Sequence, residues 1–263
     1  MDYVIITRDD DKSKRLAERF HALVKPHGFR VNAEQPELVL TIGGDGTLLQ
    51  AFHQYTDRLD STGFLGIHTG HLGFYADWHP EQMEHLVHLM LTEDLEEKVV
   101  SYPLVSIELE TSSGSKKWLA LNECTLKGID HTMVAEIKLN DELFVQFRGD
   151  GICISSPSGS TAYNKSLGGA IIHPSFEGIQ IAEIASINNR VFRSLGSSIL
   201  LPEHHHCEIF PRAQQNLLFT VDQLSSTHHE IYKLRCAVAE EKIRFVRYLP
   251  FTFWNRVREA FIE

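Results

Sequence analysis

The chain has 263 residues, 43% of them hydrophobic and 23% charged, enough to bury a substantial core in one large or two modest domains. A formal net charge of −10 argues against general attraction to nucleic acid or an acidic membrane, so any phosphate site must be local, built from amides, hydroxyls and a few cations. Four cysteines without paired spacing argue against a disulfide frame. The opening MDYVIITRDDDK lacks a basic leader and no apolar run is bilayer-length, so the expectation is a soluble cytoplasmic protein.

Tyr3 to Thr7 reads as a short strand, followed by Leu16, Phe20, Leu23 and Val24 at helical spacing. Asp9-Asp10-Asp11 between them reads as a solvated loop. A second apolar run, Leu38 to Ile42, leads through a glycine turn into a helix from Thr47 to about Tyr55. Gly63 to Ile67 reads as another strand, and Pro80 opens a helix to Leu91, where its missing N–H is not needed. Strands alternating with helices imply a mainly parallel sheet.

After about Ser101 the pattern becomes two-residue alternation. Asn140–Asp141 reads as a hairpin turn, and EIYKLRCAVAEEKIRFVRYL reads as a second hairpin around Glu240–Glu241. Helical interruptions are expected at Ser160 to Leu167 and around Phe176 to Ile187. Phe253, Val257 and Phe261 form the apolar stripe of a terminal helix that docks back on the first domain. The expected architecture is an α/β N-terminal domain with a mainly parallel sheet over residues 1–100, joined by a terminal segment 246–263. A β-rich, sandwich-like domain covers 101–245.

Two turns carry the chemistry. In LVLTIGGDGTLLQAFH, glycines ahead of a helix can aim amides at an oxyanion, yet the lysine of a P-loop is missing and the spacing of a dinucleotide fingerprint is wrong. Asp45 inside that turn would be repelled by phosphate unless it binds a metal or takes a proton, and both fit phosphoryl transfer. The alternative is a tight turn in which Asp45 caps its own helix. The second turn, RGDGICISSPSGSTAYNKSLGGA, packs Ser155, Ser156, Ser158, Ser160 and Thr161 ahead of a helix, making a neutral pocket for phosphate or ribose. Tyr163 could stack on a ring there, Asn164 and Ser166 extend the polar surface, and no GxSxG pattern is present.

GGDGTLL, LNE, RGDGICISSPSGSTAYNKSLGG and TVDQ together resemble the NAD kinase family, in the short form of low-GC Gram-positive bacteria, over essentially the whole chain. The resemblance implies that Asp45 is the general base activating the adenosine-ribose 2′-hydroxyl of NAD, with Gly43, Gly44 and Gly46 lining phosphate. It implies that Asn122 and Glu123 contact the dinucleotide. Asp150, Ser158, Thr161, Ala162, Tyr163 and Ser166, with Asn164 and Lys165 of the same run, would surround its adenine and nicotinamide ends. Ala185 would close the nicotinamide side and Arg148 would add a contact. The implied donor is ATP with Mg²⁺, no resident metal ligands are assigned, and a homotetramer is implied. Where many members have Asn and Gly, this chain has His68 and Gln223, both near expected ligand contacts. Other readings of the same residues are a lipid or sugar kinase sharing the GGDG turn, or a non-catalytic NAD or NADP sensor.

Histidine is abundant, but the contiguous His204-His205-His206 cannot easily converge on one ion from a regular strand. His85 and His88 read as solvated, while His68 and His71 sit beside Gly70 and Gly73, where a ligand could approach closely. Phe74 and Tyr75 could face an adenine or simply pack in the core.

Overall fold

A computed structural model describes residues 1–263 and divides them into two compact units, Met1–Tyr102 with Lys242–Glu263, and Pro103–Glu241. The chain passes between them twice, each time inside a strand.

The first unit opens with β1 (Asp2–Thr7) and α1 (Asp11–Val24). Asp10 begins that helix, its carboxylate accepting the Ser13 amide at 2.8 Å, so one residue of the acidic triplet is a helix cap. There follow β2 (Arg30–Val31), β3 (Leu38–Gly43), α2 (Asp45–Gln54), β4 (Gly63–His68) and α3 (Met83–Thr92). The pairings β2–β1, β1–β3 and β3–β4 are all parallel. Every residue of β3 is buried, as expected of a central parallel strand covered on both faces. Phe20, Val24, Leu40, Ile42, Trp78 and Leu86 fill the core between sheet and helices.

The second unit takes in most of β5 (Val99–Thr111), then β6 (Gly114–Ala120), β7 (Glu123–Gly128), β8 (Met133–Leu139), β9 (Glu142–Gly149) and β10 (Gly151–Ser155). A single short helix, α4 (Tyr163–Ser166), precedes β11 (Gly178–Ile184), β12 (Ile199–Pro202), β13 (His206–Pro211), β14 (Leu217–Val221) and β15 (Leu224–His228). The long strand β16 (Ile231–Val246) ends the unit at Glu241. One antiparallel sheet runs β12-β11-β10-β7-β14-β15; in the other, β16, β13, β8 and β9 are consecutive neighbours. The inward side chains of both, among them Ile107, Leu126, Phe147, Ile154, Phe219 and Leu234, form one core, which is the packing of a sandwich.

The parallel N-terminal sheet and the β-rich second unit agree with the fold class expected from sequence, and the terminal helix α5 (Phe253–Phe261) belongs to the first unit. Two local expectations fail. Phe176 to Ile187 is not helical: Gly178–Ile184 is a strand paired with β10 from Gly151↔Ile184 to Ser155↔Gln180. A buried apolar run of that length suits either state, and here pairing on both edges decides it. No hairpin forms at Glu240–Glu241, where β16 continues unbroken. Both glutamates point to solvent and no residue there adopts the left-handed conformation that a tight turn needs.

Candidate active site

Asp45 is the first residue of α2, and Gly44 is its N-cap in extended conformation. Asp45 does not cap its own helix. Its Oδ2 accepts the Phe74 amide at 2.9 Å and its Oδ1 the Tyr75 amide at 3.1 Å. None of Gly43, Gly44 and Gly46 has a positive φ, so backbone freedom does not require glycine at these positions. A Cβ on Gly43 would lie 2.2 Å from Thr47 Oγ1. One on Gly44 or Gly46 would meet nothing within 4 Å, so the N-terminus of α2 stays uncovered where its first-turn amides point outward.

Burial raises the Asp45 carboxyl above the ordinary carboxylate range; the two amides and the Arg256 charge pull it partly back, and Asp77 pushes it up. The loop carrying those amides is held from α5. Arg256 Nη1 donates to the Gly73 carbonyl at 3.0 Å, and its other nitrogen reaches Asp77. Arg247 Nη1 donates to both Asp77 oxygens, at 2.7 and 2.5 Å. The Tyr75 ring stacks on Phe245 at 5.6 Å in the core, so what this residue brings to Asp45 is its amide. Phe74 stacks on Phe261 at 5.8 Å. His71, Gly73, Phe74, Arg256 and Glu259 border a cavity of about 400 Å³ beside the loop. His68 Nδ1 lies 2.9 Å from the Gly70 carbonyl oxygen.

The remaining candidates lie in the second unit, where β7 organises them. Asp222 bridges three successive amides, accepting from Leu121 at 3.0 Å, Asn122 at 2.7 Å and Glu123 at 3.2 Å. It does so from a left-handed backbone, φ 48°. Gln223, the candidate beside it, is exposed in the β14–β15 turn. The Ser156 hydroxyl donates to the Leu121 carbonyl and accepts the Gly159 amide at 3.0 Å, while the Ser156 amide donates to the Asn122 carbonyl at 2.8 Å. A Cβ on Gly159 would lie 1.9 Å from the Asn122 carbonyl oxygen, so the serine-rich turn can seat against Asn122 only with glycine there.

Glu123 is drawn in by the same packing. Burial first, and then the charge of Asp222, raise its carboxyl from 4.5 to about 7, against the opposing Tyr163 amide. Glu123 Oε2, Ser155 Oγ, Ser158 Oγ and both amide atoms of Asn164 are buried without a hydrogen-bond partner. These groups, from the start of β7, the end of β10 and the turn and short helix that follow it, are polar atoms with unspent bonding capacity. Ser158 and Thr161 lie on a single 3₁₀ turn, Ala162 links it to α4, and Tyr163, Asn164, Lys165 and Ser166 make up that helix. Lys127 Nζ sits 5.6 Å from the Tyr163 ring centre.

Arg148 and Asp150 flank the β9–β10 junction. Arg148 Nε donates to Thr132 Oγ1 at 3.1 Å, and its guanidinium lies over Phe192 at 5.4 Å. The Asp150 amide donates to the Ile184 carbonyl at 2.9 Å, next to Ala185, whose φ of 46° puts it too in the left-handed region. Asp150, Tyr163, Lys127 and Ile184 border an open cleft of about 580 Å³. Sequence reading missed Gly73, Asp77, Arg247, Arg256 and Ser156 as organisers. It noted Asp222 only as part of a departing motif.

A desolvated carboxylate at an uncovered helix N-terminus in the first unit and a hydroxyl-rich loop in the second are each features suited to a phosphotransferase acting on a nucleotide. Models of the ATP-NAD kinase N-terminal and C-terminal domains match residues 11–95 and 121–247. NAD kinase 1 of Bacillus anthracis is 51% identical over 264 residues, spanning 100% of this chain and 99% of that protein. NAD kinase 1 of Bacillus subtilis is 49% identical, spanning 100% and 98%. The chain belongs to the ATP-NAD kinase family, and its activity is the phosphorylation of NAD to NADP.

Two solved structures share the fold at low identity. Yeast NADH kinase complexed with NADH superposes with a TM-score of 0.84 at 16% identity, covering 99% of this chain and 87% of that one. An NAD kinase from Archaeoglobus fulgidus in complex with ATP gives 0.74 at 20% identity, covering 94% of each.

Proposed function

We propose that Asp45 is the general base of this kinase and that Mg²⁺ enters as the ATP complex. The observation that carries this reading is the pair of amides on a desolvated Asp45 beside the open N-terminus of α2. In the transfer, the 2′-hydroxyl oxygen of the adenosine ribose bonds to the γ-phosphorus, and the bond from that phosphorus to the β–γ bridging oxygen breaks. The hydroxyl proton passes to Asp45, and ADP leaves. A carboxylate above its ordinary range is a better proton acceptor near neutral pH, and the amides fix its direction of approach.

The outward amides at Gly44 and Gly46 bind phosphate oxygens, and charge on the transferring group is offset by them and by Mg²⁺. Asn122 and Glu123 hold the dinucleotide; at about 7, a protonated Glu123 can donate a hydrogen bond as well as accept one. Ser158, Thr161, Tyr163, Ser166, Asp150, Arg148 and Ala185 complete its contacts. By resemblance to the family, the assembly is a homotetramer in the cytoplasm.

The test is to incubate the protein with NAD and ATP, with and without Mg²⁺, and couple NADP to an NADP-specific dehydrogenase. NADP should appear only with Mg²⁺ present. Equal rates in excess chelator would remove Mg-ATP as the donor, and polyphosphate in place of ATP tests the donor directly.

A further inference from the structure

The geometry points to a binding site for a divalent transition-metal ion at Asp141, His206 and Glu208, of which Zn²⁺ is the representative. One donor atom from each of the three lies within 4.8 Å of the other two. The contiguous histidine triplet is not what converges: only His206 joins the group, while the His204 and His205 rings pack edge-to-face on each other at 4.9 Å.

The backbone builds the arrangement. His206 and Glu208 are two apart on β13, so their side chains share one face. Asp141 is the second residue of the two-residue β8–β9 turn, with φ values of 49° at Asn140 and 69° at Asp141. That turn is fastened to the first residue of β13 in both directions. The Asn140 amide donates to the His206 carbonyl at 3.1 Å, and the His206 amide donates to Asn140 Oδ1 at 3.0 Å. Asp141 Oδ1 then stands 3.4 Å from His206 Nε2.

Glu208 is 7% exposed. The ammonium near it, Lys233 Nζ, is 3.8 Å away and lies closer to Glu110, at 2.8 Å. This buried carboxylate shares the Lys233 ammonium with Glu110, has Lys138 and Arg235 as cross-strand partners, and has the His206 imidazole on its own face of β13. One imidazole nitrogen with two carboxylate oxygens suits zinc, nickel or copper, whereas magnesium and calcium select oxygen donors alone. Around a tetrahedral ion the donors would sit roughly 3.4 Å apart, given metal–ligand bonds of about 2.1 Å. Asp141 Oδ1 and His206 Nε2 already stand at that distance, and all three donors lie within 4.8 Å of one another.

The site is separate from the nucleotide residues. It lies at the turn end of the β8–β9 hairpin, where Leu139 pairs with Glu142; Gly149, beside Asp150, pairs with Met133 at the other end. Six residues of strand, about 20 Å, separate the two ends. An ion there would clamp the hairpin turn to β13 and stabilise the folded unit, not take part in phosphoryl transfer.

The experiment uses the full chain without a polyhistidine tag, freed of metal by a chelator, and titrated with Zn²⁺ by calorimetry. One ion should bind per chain, tighter than roughly 100 µM, with binding weakened at least about tenfold in His206→Gln and in Asp141→Asn. The double variant His204→Ala/His205→Ala should bind like the parent. Zn²⁺ should raise the thermal midpoint of the parent and leave that of His206→Gln unchanged. Asp141→Asn, exposed and compatible with the left-handed turn, keeps the test decisive should His206→Gln fold poorly. Binding unchanged in Asp141→Asn and any folded His206→Gln, binding lost in the His204/His205 variant, or no binding by the parent would each overturn the site.

Discussion

A Cβ placed on Gly73 would lie 2.2 Å from Oδ1 of Asp45, and the next two residues turn their amides onto the same carboxylate. The loop and the proposed base are thus seated against each other with no room for a methyl group. Gly73→Ala should push the carboxylate out of line and lower kcat about 100-fold, the scale of a 1 Å misplacement of a reacting group. Steady-state kinetics with NAD varied would check it, and a kcat within twofold of the parent would show that the contact does not set the geometry.

The three amides gathered by Asp222 leave the start of β7 dependent on one side chain. Asp222→Ala strands donors that each cost about 1–3 kcal/mol when buried without a partner. It should raise the KM for NAD at least about tenfold, with a smaller change in kcat, because Asn122 and Glu123 lose their placement rather than their chemistry. An unchanged KM in a folded variant would separate Asp222 from dinucleotide binding.

Asp77 joins two guanidiniums in the first unit, with side chains 11% exposed at Asp77, 3% at Arg247 and 11% at Arg256. Removing the shared carboxylate leaves two buried cations facing each other. Asp77→Ala should therefore destabilise the first unit by about 3–5 kcal/mol, the range for breaking a buried ion pair from one side. Urea unfolding followed at Trp78, buried in that unit's core, would measure it.

Glu123 gives stability a pH dependence of predictable sign. Its folded carboxyl is raised from 4.5 to about 7. The contribution from its neutral form is therefore fully present below pH 4.5 and is lost as pH rises through 7. The difference in thermal midpoint between the parent and Glu123→Gln should widen in favour of the glutamine variant over that window. A constant difference across it would mean that Glu123 does not titrate there.

The parallel first sheet was legible because its strands are short apolar runs punctuated by helices with clear stripes, such as Leu16, Phe20, Leu23 and Val24. The Asn140–Asp141 hairpin was legible because both residues tolerate the left-handed region that the turn uses. The Gly178–Ile184 strand was not, since GIQIAEI is buried almost throughout and carries no period that separates strand from helix. The support of Asp45 was hidden for a different reason: Arg256 acts from a terminal helix 183 residues from Gly73, and no local pattern announces such a bond. Asp222 reaches back 100 residues to the Asn122 amide in the same way. The metal-site candidate combines one histidine of a conspicuous triplet with Glu208, two residues on along the same strand, and with Asp141, which only strand register brings beside it.

The role of Asp45 is tested most directly by comparing NADP formation by the parent and by Asp45→Asn, with NAD affinity measured on the same preparations. The expected result is an NAD Kd within about tenfold of the parent and a kcat lower by at least about 100-fold, since the amide keeps the shape of the carboxylate but cannot take the proton. An Asp45→Asn protein that turned over NAD at the parental rate would contradict the assignment of Asp45 as the base.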